Sequence, residues 1–547
     1  MKFIKGGKCM KKGYLKRSFA FCLILAMMLM LGIVSFADDA APAMTPGTYT
    51  GTAKSVGGPL SVEVEVTEDA IVSITVTECN DSEGVGTTAA ELLPDRIVEA
   101  QSTNIDGVSG ATLSSIFLRN AVRAALTEAG ADSKQFNDKV AFPAKAQTDM
   151  EADVVVVGGG LAGLSAAATA AINGLNVILL EKNGFLGGNS IISDQAITGP
   201  IGDPFSVNVE RLEEQMIGYG LKIEHIDVDY PGYGQMKVIS LPEKGDVLNC
   251  IYLRDIFADL IIKNGGLILT ETPGIGLLSE NGTVTGVTAQ PRGQEPFNIT
   301  AKAVILTTGG FSSNPELVAK YLPYAEGAFN VGLGGNKGDA LSWVEDLDAK
   351  LVEMEAEKSA FYSVSPSSGY YAEKSGNPNH FVDKTGKLIT DNPDYNQGTM
   401  AVYQAIGREQ YYAVTSLAEV QAAGVEAEFD HPVLAGSIQR FESIEEMAAA
   451  LEMPEIAQTL ADLGLEDGVY FAGLATAGIY GTYGGIATDD EARVLNNNDE
   501  VIPGLYAAGE VLGSRNFQNV GFYAGGVGPA LIIGNTAGNT VAADLAE

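Results

Sequence analysis

The 547-residue sequence predicts a multidomain protein, in which a small α+β domain precedes a Rossmann-like α/β domain with an inserted α+β domain. Three observations support this organisation. At about 150 residues per domain, the length allows three or four domains. Alternating strands and one amphipathic helix come before residue 147, and a buried strand then leads into Gly-x-Gly-x-x-Gly and a helix. Between about residues 345 and 474 the sequence becomes Tyr-rich and irregular.

The composition excludes several classes of protein. There are 34 basic and 69 acidic residues, a formal net charge of -35, and 46% of the residues are hydrophobic. A chain this apolar can fill packed cores, which excludes an acidic disordered protein. Because so negative a chain repels phosphate, nucleic acid is not an expected partner. The cysteines beyond residue 37, Cys79 and Cys250, are too far apart to indicate a disulfide framework or a metal site.

Residues 1–37 have the pattern of a signal peptide. Basic residues without any acid lie between Met1 and Arg17, an apolar run follows, and Ser35-Phe36-Ala37 is a small-x-small cleavage pattern. We therefore predict cleavage after Ala37 and an extracytoplasmic protein, either secreted or at the cell surface or membrane periphery. An uncleaved anchor is the alternative, because the apolar run is close to the ~20 residues that span a bilayer.

Residues 38–147 form the first predicted domain with its flanking linkers. Alternating strands at 60–66 and 71–76 precede an amphipathic helix predicted over Ile116–Ala129. The string Asp106-Gly107-Val108-Ser109-Gly110-Ala111-Thr112 comes just before that helix, where small residues and free N–H groups suit a phosphate. This string resembles the attachment motif of the FMN-binding domain family. The resemblance implies FMN held covalently on Thr112 and placed there by a flavin transferase. The structural alternative for Thr112 is a helix cap.

The second predicted domain opens with a dinucleotide-binding pattern. A buried strand at 152–157 runs into Gly158-Gly159-Gly160-Leu161-Ala162-Gly163 and a helix of small residues, and the next strand ends at Glu181. In this pattern Gly158 permits the tight turn, Gly160 lets the backbone approach a pyrophosphate, and Gly163 lets helix and strand pack closely. Glu181 is placed to accept a hydrogen bond from the adenosine ribose.

Four further motifs favour FAD over NAD. They are Gly187-Gly188-Asn189-Ser190, a strand and turn at 303–311, Gly338-Asp339 before a helix, and a strand and turn at 502–511. With these motifs in order, the chain from residue 152 to its last helix is similar to the fumarate reductase, flavocytochrome c and 3-ketosteroid dehydrogenase family of FAD oxidoreductases. The resemblance implies non-covalent FAD bound by Gly158, Gly160, Ala162, Gly163, Glu181, Lys182, Gly188, Asn189, Ser190, Gly309, Asp339, Glu510, Ala530 and Leu531.

The resemblance also sets the expected domain limits. Residues 148–344 are predicted as the first part of the FAD-binding domain, 345–474 as a cap domain that completes the substrate site, and 475–547 as the second part. In the family the cap closes over the flavin, which would exclude water from the hydride-transfer step.

Residues that fumarate reductases use are replaced in this sequence. In the family, Arg and His hold the two carboxylates of the substrate and another Arg delivers a proton. Here a non-basic residue, about Asn396, stands where that proton donor is expected, and the other two places are occupied by 479–485 and 522–526 without a His or Arg. Because a dicarboxylate in a dry site needs paired cations, fumarate is not the expected substrate.

Tyrosines favour a ketone instead. Phe522-Tyr523-Ala524-Gly525-Gly526 is similar to the ketosteroid dehydrogenase branch, in which a Tyr before a Gly-rich turn binds the substrate ketone. That phenol and the backbone N–H of Gly525 or Gly526 would stabilise an enolate. A second tyrosine would supply a proton, the candidates in order being Tyr480, Tyr395 and Tyr362. Ordinary packing is the alternative role for each tyrosine.

Arg515 keeps a second substrate class open. It follows Glu510 closely enough to face the pocket and bind one carboxylate, so a cinnamate- or urocanate-like acrylate is also a candidate. An ion pair at the surface or with an FAD phosphate is the alternative role for Arg515.

The sequence therefore predicts an exported reductase that transfers hydride from FAD to an activated C=C bond, such as that of a 3-oxo steroid, with electrons supplied through covalent FMN. The expected partners are a small unsaturated acceptor, a flavin transferase and a membrane electron donor, as in anaerobic respiration. Three alternatives stay open, which are a monocarboxylate reductase, the reverse dehydrogenation, and a non-enzymatic electron-transfer subunit.

Overall fold

The computed structural model describes most of the chain from residue 44 to residue 547. Within it lie a three-stranded, an eight-stranded, a seven-stranded, a two-stranded and a four-stranded sheet. In this part of the chain no helix is long and apolar enough to cross a bilayer, and no group of side chains is suited to hold a metal ion. The positions outside the description are 1–43, 56–57, 133, 193–197, 201–213, 215, 219–223, 231–233, 242–245, 248–249, 331, 356, 364–379, 392–408, 425, 427–428, 430–432, 434–437 and 514–525.

The first domain is an antiparallel sheet of three strands covered by two helices. Its elements are β1 Gly47–Ser55, β2 Gly58–Val66, β3 Ile71–Cys79, α1 Gly86–Ala100 and α2 Thr112–Glu128. Leu60, Val62 and Val64 of β2 are buried and alternate with residues that point outward, which confirms the predicted half-buried strand. The buried face of α2, which includes Leu118 and Val122, packs against this side of the sheet.

Helix α2 begins one turn earlier than predicted. The expected start was Ile116, but the first helical residue is Thr112, and Ala111 is the N-cap. The Ser115 N–H donates to the Ala111 carbonyl at 3.0 Å, so the first turn is already closed before the apolar periodicity begins. The prediction was wrong because Thr112, Ser114 and Ser115 are small polar residues and the one apolar residue, Leu113, is exposed, so this turn carries no apolar periodicity. Thr112 is therefore not a capping residue, and its hydroxyl stands at the open end of the helix.

The second domain is built on a mixed sheet. Strands β10, β5, β4 and β13 are parallel neighbours in that order, β12 pairs antiparallel with β13, and β11 pairs antiparallel with β12. Val154–Val157 are buried, as expected for a parallel strand covered on both faces. Strands β6 to β9 form a separate antiparallel sheet. The elements are β4 Met150–Val157, α3 Leu161–Ile172, β5 Val177–Leu180, β6 Thr198–Pro200, β7 Glu224–Tyr230, β8 Gly234–Leu241, β9 Asp246–Val247, α4 Cys250–Lys263, β10 Leu267–Leu269, β11 Gly274–Glu280, β12 Thr283–Ala289 and β13 Phe297–Leu306.

A third sheet is inserted between the two parts of the second domain. Its long central strand, β21, pairs with β14, β16, β19 and β20, so the sheet extends beyond the 345–474 segment on both sides. β21 ends at Thr482, where the chain returns to the second domain. The elements of the chain from residue 315 to residue 486, of which β15 and β22 form a separate two-stranded sheet, are α5 Pro315–Tyr321, β14 Phe329–Asn330, α6 Asp339–Trp343, β15 Leu351–Val352, β16 Glu357–Ser363, β17 His380–Val382, β18 Leu388–Asp391, β19 Tyr411–Ser416, α7 Leu417–Ala422, β20 Gln439–Phe441, α8 Ile444–Ala450, α9 Ile456–Asp462, β21 Tyr470–Thr482 and β22 Gly485–Ile486.

The C-terminal segment completes the second domain. Its elements are β23 Arg493–Leu495, β24 Val501–Ala507 and α10 Val527–Asp544. β24 pairs in parallel with β13, so residues from the end of the chain join the sheet that starts at residue 150. α10 packs along α3, where the Ser165 hydroxyl donates to the Leu531 carbonyl at 2.7 Å. The two sequence-distant parts therefore share one core.

Candidate functional site

A cleft opens where the carboxyl ends of β4, β5 and β13 meet the N-terminus of α3. Ligands of open α/β sheets bind at this kind of edge. The cleft contains about 880 Å³ of empty space, the part open to solvent included, which is within the range of ligand sites of roughly 300–1,000 Å³. Twelve of the fourteen predicted FAD residues line it, namely Gly158, Gly160, Ala162, Glu181, Lys182, Gly188, Asn189, Ser190, Gly309, Asp339, Glu510 and Ala530.

The glycine-rich turn leaves a cradle for a phosphate. Gly158 has φ of +114°, and a side chain on Gly163 would lie 1.9 Å from the Gly158 carbonyl oxygen. A side chain on Gly160 would meet no atom within 4 Å, and no side chain caps the N-terminus of α3 at this residue. The open space and the uncapped N–H groups lie together, which fits the pyrophosphate of a dinucleotide.

Glu181 closes the bottom of the cradle. Its two carboxylate oxygens accept hydrogen bonds from the N–H groups of Gly159 and Asn183, each at 2.7 Å. Burial raises the pKa of the Glu181 carboxyl, and the two backbone hydrogen bonds oppose that shift. The acid predicted to bind the ribose is thus held rigidly by the glycine turn itself.

Lys182 and Asp339 form an ion pair in one wall of the cleft. The Lys182 ammonium donates to Asp339 Oδ2 at 2.5 Å and also to the Gly335 carbonyl oxygen. Asn189 lies on the same wall, where its Oδ1 accepts the Leu333 N–H at 2.9 Å. The predicted residues of this wall therefore also organise the loop around residues 333–339.

Glu510 ties three separate segments together at the other end of the cleft. Its Oε2 accepts from Asn336 Nδ2 at 2.7 Å, and its Oε1 accepts from the Thr482 N–H at 3.0 Å. The Thr482 hydroxyl accepts from the Phe311 N–H at 3.3 Å. Asn336 and Thr482 were not among the predicted residues. For Asn336 there was a signal, because it lies in a Gly-rich run just before Gly338-Asp339.

A buried hydroxyl provides a further test of fit. Thr308 follows β13 and lines the cleft, and its Oγ1 is buried without a hydrogen-bond partner among the described residues. Buried hydroxyls are normally paired, so one left open toward a cleft fits a polar ligand. Together with the Gly160 cradle, it makes the cleft suited to hold FAD.

The two remaining predicted FAD residues lie behind the lining. Gly163 packs α3 against the glycine turn. Leu531 is fully buried in α10 beside Ala530, which reaches the lining. Both residues shape the wall of the cleft without forming its surface.

The predicted FMN-attachment residue is accessible. Thr112 is exposed at the N-terminus of α2, and its neighbours Leu113 and Ile116 are exposed apolar side chains at 58% and 37%. The loop before Thr112 is held against the first turn of α2, because the Ser115 hydroxyl accepts a hydrogen bond from the Val108 N–H at 3.1 Å. An exposed hydroxyl at an uncapped helix end, with apolar surface beside it, fits a phosphoester-linked flavin.

The attachment loop lies directly against the wall of the FAD cleft. The Gly184 N–H donates to the Ser109 carbonyl oxygen at 3.0 Å, and the Ser109 hydroxyl donates to the Lys182 carbonyl at 3.2 Å. Phe185 of the second domain is buried in the core of the first domain. Thr112 is three residues beyond Ser109, a stretch of at most about 11 Å. The two predicted flavin sites are therefore neighbours.

The predicted catalytic side chains fall outside the description. Tyr395, Arg515 and Tyr523 lie outside the described residues. Only the backbone is described for Tyr362 in β16 and Tyr480 in β21, and these strands are antiparallel neighbours. The catalytic roles of all five residues remain predictions.

His380 has a structural explanation. It is buried in β17, and its Nε2 lies 2.8 Å from Glu419 Oε1. Burial acts to raise the pKa of the Glu419 carboxyl, but hydrogen bonds from His380 and Ser416 hold this pKa below its ordinary value. This pair joins β17 to α7 within the inserted sheet and is not part of the cleft lining.

Three family models match the chain. The model of the FMN-binding domain matches residues 56–127, that of the FAD dependent oxidoreductase matches 153–310, and that of the FAD binding domain matches 255–523. These ranges correspond to the first domain and to the domain that contains the cleft.

Among the relatives that are similar along most of the chain are a urocanate reductase and an acrylate oxidoreductase. Urocanate reductase of Eggerthella lenta is 29% identical, with 86% of this chain and 88% of that protein aligned. NADH:acrylate oxidoreductase of Vibrio harveyi is 26% identical over 86% of this chain, which spans only 59% of that longer protein.

Solved structures share the fold. A flavocytochrome c3 fumarate reductase in an open conformation gives a TM-score of 0.60 at 20% identity, covering 73% of this chain and 79% of that one. The 3-ketosteroid-delta4-(5alpha)-dehydrogenase from Rhodococcus jostii RHA1 gives 0.57 at 18% identity, covering 73% and 98%.

Proposed function

We propose that this chain, an FAD- and FMN-dependent oxidoreductase of the fumarate reductase, flavocytochrome c and 3-ketosteroid dehydrogenase family, reduces a small unsaturated monocarboxylic acid. Members of this family act on carbon–carbon double bonds. The observation that carries the two-flavin part of the proposal is the contact between the attachment loop and the cleft, in which Gly184 donates to Ser109. This contact holds the attachment loop against the wall of the FAD cleft and so supports electron transfer between two flavins of one chain.

The chain's own residues would prepare the cleft for this reaction. When bound, FAD supplies the hydride and covalent FMN passes electrons on. Gly160 and the start of α3 would hold the pyrophosphate, and Glu181 the ribose. Glu510 connects the end of β21 to the cleft through the Thr482 N–H, so the inserted sheet is anchored where it can cover the acceptor and exclude water.

The choice of a monocarboxylate rests on charge and on the relatives. The sequence lacks the second cation that a dicarboxylate requires, and Arg515 supplies one that could pair with a single carboxylate. One relative, aligned along 86% of this chain and 88% of its own length, is a urocanate reductase, and another is an acrylate oxidoreductase. We therefore rank an acrylate with an aromatic or heteroaromatic tail ahead of the enone favoured by the sequence analysis.

An enone is the second candidate. Tyr523 before Gly525-Gly526 could hydrogen-bond a ketone, and Tyr480, Tyr395 or Tyr362 could donate the proton. Export with cleavage after Ala37, maturation by a flavin transferase and electron supply from a membrane donor belong to the same proposal. They are supported by the leader pattern and the attachment motif.

The test is anaerobic turnover of the flavin-loaded protein with reduced viologen. Cinnamate, urocanate, a 3-oxo-4-ene steroid and fumarate serve as acceptors, and we expect reduction of one or both monocarboxylates. Arg515→Met should raise KM for the acid at least tenfold and leave KM for its methyl ester unchanged, with Arg440→Met in the inserted sheet as the control. Reduction of fumarate alone would overturn the argument from missing cations, and reduction of the steroid alone would select the second candidate.

A further inference from the structure

A buried ion network joins the first domain to the FAD domain. Glu271 follows β10, and its side chain is only 7% exposed. Its Oε2 accepts from Arg96 Nη2 at 3.0 Å, and its Oε1 accepts from Arg292 Nε at 3.1 Å. Arg96 belongs to α1 of the first domain, whereas Glu271 and Arg292 belong to the second. One carboxylate therefore holds a guanidinium from each side of the domain boundary.

The network extends to the FMN-attachment motif. Arg292 Nη1 donates to Oδ2 of Asp106, the first residue of the motif, at 3.3 Å. The Phe142 N–H in the interdomain linker donates to the same oxygen at 3.1 Å, and the Arg96 guanidinium lies 5.4 Å from the centre of the Phe142 ring. Domain, linker and motif are thus connected through four charged side chains.

Glu271 combines a strained backbone conformation with a buried carboxylate. Its φ is +52°, in the left-handed region that non-glycine residues rarely adopt. Its N–H donates to the Asn183 carbonyl at 2.9 Å, and its carbonyl accepts the Arg292 N–H at 2.8 Å. Burial acts to raise the pKa of the Glu271 carboxyl, but hydrogen bonds from Arg292 and Arg96 hold this pKa below its ordinary value. A buried carboxylate in a strained backbone persists only where its surroundings fix it.

The network is adjacent to the contact between the two flavin sites. Asn183, which accepts the Glu271 N–H, lines the FAD cleft and precedes Gly184. Gly184 donates to Ser109 of the attachment loop. The strained residue therefore supports the loop on which the attachment motif lies.

We propose that Glu271, Arg96, Arg292 and Asp106 form an interdomain lock that fixes the attachment loop in one position on the wall of the FAD cleft. The four are positioning residues, because they set where the attachment site lies relative to the cleft and do not line the cleft themselves. The inference rests on the proposed two-flavin function for its purpose, but its structural content does not depend on any acceptor.

The first experiment measures hydrogen–deuterium exchange of the full-length protein. Arg96→Met is the main variant, because Glu271 keeps Arg292 as a partner and the protein should still fold; Glu271→Gln is the second. We expect exchange at the Gly184 amide and in residues 106–111 to become at least tenfold faster, with the α3 core unchanged. The control is Arg123→Met, which removes an exposed arginine whose bonds to Thr103 stay within the first domain. Wild-type exchange in both variants would overturn the lock.

The second experiment measures turnover of the flavin-loaded protein with an acceptor that the wild type reduces. Arg96→Met should lower kcat at least tenfold and leave KM for the acceptor unchanged, because the acceptor site is untouched. Faster exchange at Gly184 with an unchanged kcat would overturn the positioning role. If the wild type reduces none of the acceptors, the proposed function fails, whereas the exchange experiment still decides whether the lock exists.

Discussion

Replacing Gly160 by alanine should separate flavin binding from folding. Gly160 has φ of -68° and ψ of 174°, which alanine adopts without strain. An added Cβ meets no atom within 4 Å in the protein itself. Gly→Ala changes at compatible positions stabilise by about 0.4–1 kcal/mol, so the flavin-free Gly160→Ala protein should be at least as stable as the wild type.

The same Cβ would stand in the space that a pyrophosphate must enter. If it costs one charge-assisted hydrogen bond to the backbone, about 1.5–3 kcal/mol is lost. At 1.4 kcal/mol per factor of ten, FAD should bind about 10- to 100-fold more weakly. Gly163→Ala is the matched contrast, because its Cβ would lie 1.9 Å from the Gly158 carbonyl oxygen and should destabilise the fold itself by about 1–3 kcal/mol.

The assay pairs thermal unfolding of the flavin-free proteins with titration of FAD fluorescence. We expect an unchanged or higher Tm and a raised Kd for Gly160→Ala, and a lower Tm for Gly163→Ala. Wild-type FAD affinity in Gly160→Ala would show that the phosphate lies elsewhere, and the assignment of the glycine turn as its cradle would then be wrong.

Three further predictions concern the attachment site, the cleft and the C-terminal helix. Thr112→Ala should abolish flavin fluorescence on a denaturing gel, whereas Thr112→Ser should retain it; a fluorescent Thr112→Ala band would contradict the assignment. Glu510→Ala leaves two donors unpaired and should lower the free energy of unfolding by about 1–3 kcal/mol, measured by denaturant titration against Glu500→Ala, an exposed control. A hydrogen bond from Arg493 lowers the pKa of Asp544, so its ion pair is complete above the unfolded value of about 3.9 and is lost as the pH falls through the folded pKa. Asp544→Asn should therefore flatten the acid-side fall of Tm, and an unchanged profile would count against this pair.

The features that depend on local backbone chemistry were predictable from the amino-acid order alone. The glycine turn, the strand before it and the acid at Glu181 are recognisable because a turn, a helix N-terminus and a close approach each require particular residues at fixed spacing. The attachment motif ending at Thr112 is recognisable for the same reason. The start of α2 was missed because its first turn lacks an apolar period, which is the signal that identifies a helix.

How these local features meet depends on long-range contacts in the folded chain. Asn336 and Glu510 are 174 residues apart, and Arg96 and Glu271 are 175 residues apart. No local pattern specifies such pairs, because they form only when the folded chain brings distant segments together, at one edge of a sheet for the first pair and across the domain boundary for the second. The contact of Ser109 with Gly184 is of this kind. Two motifs identified independently in the sequence become neighbouring predicted flavin sites because the fold places their loops against each other.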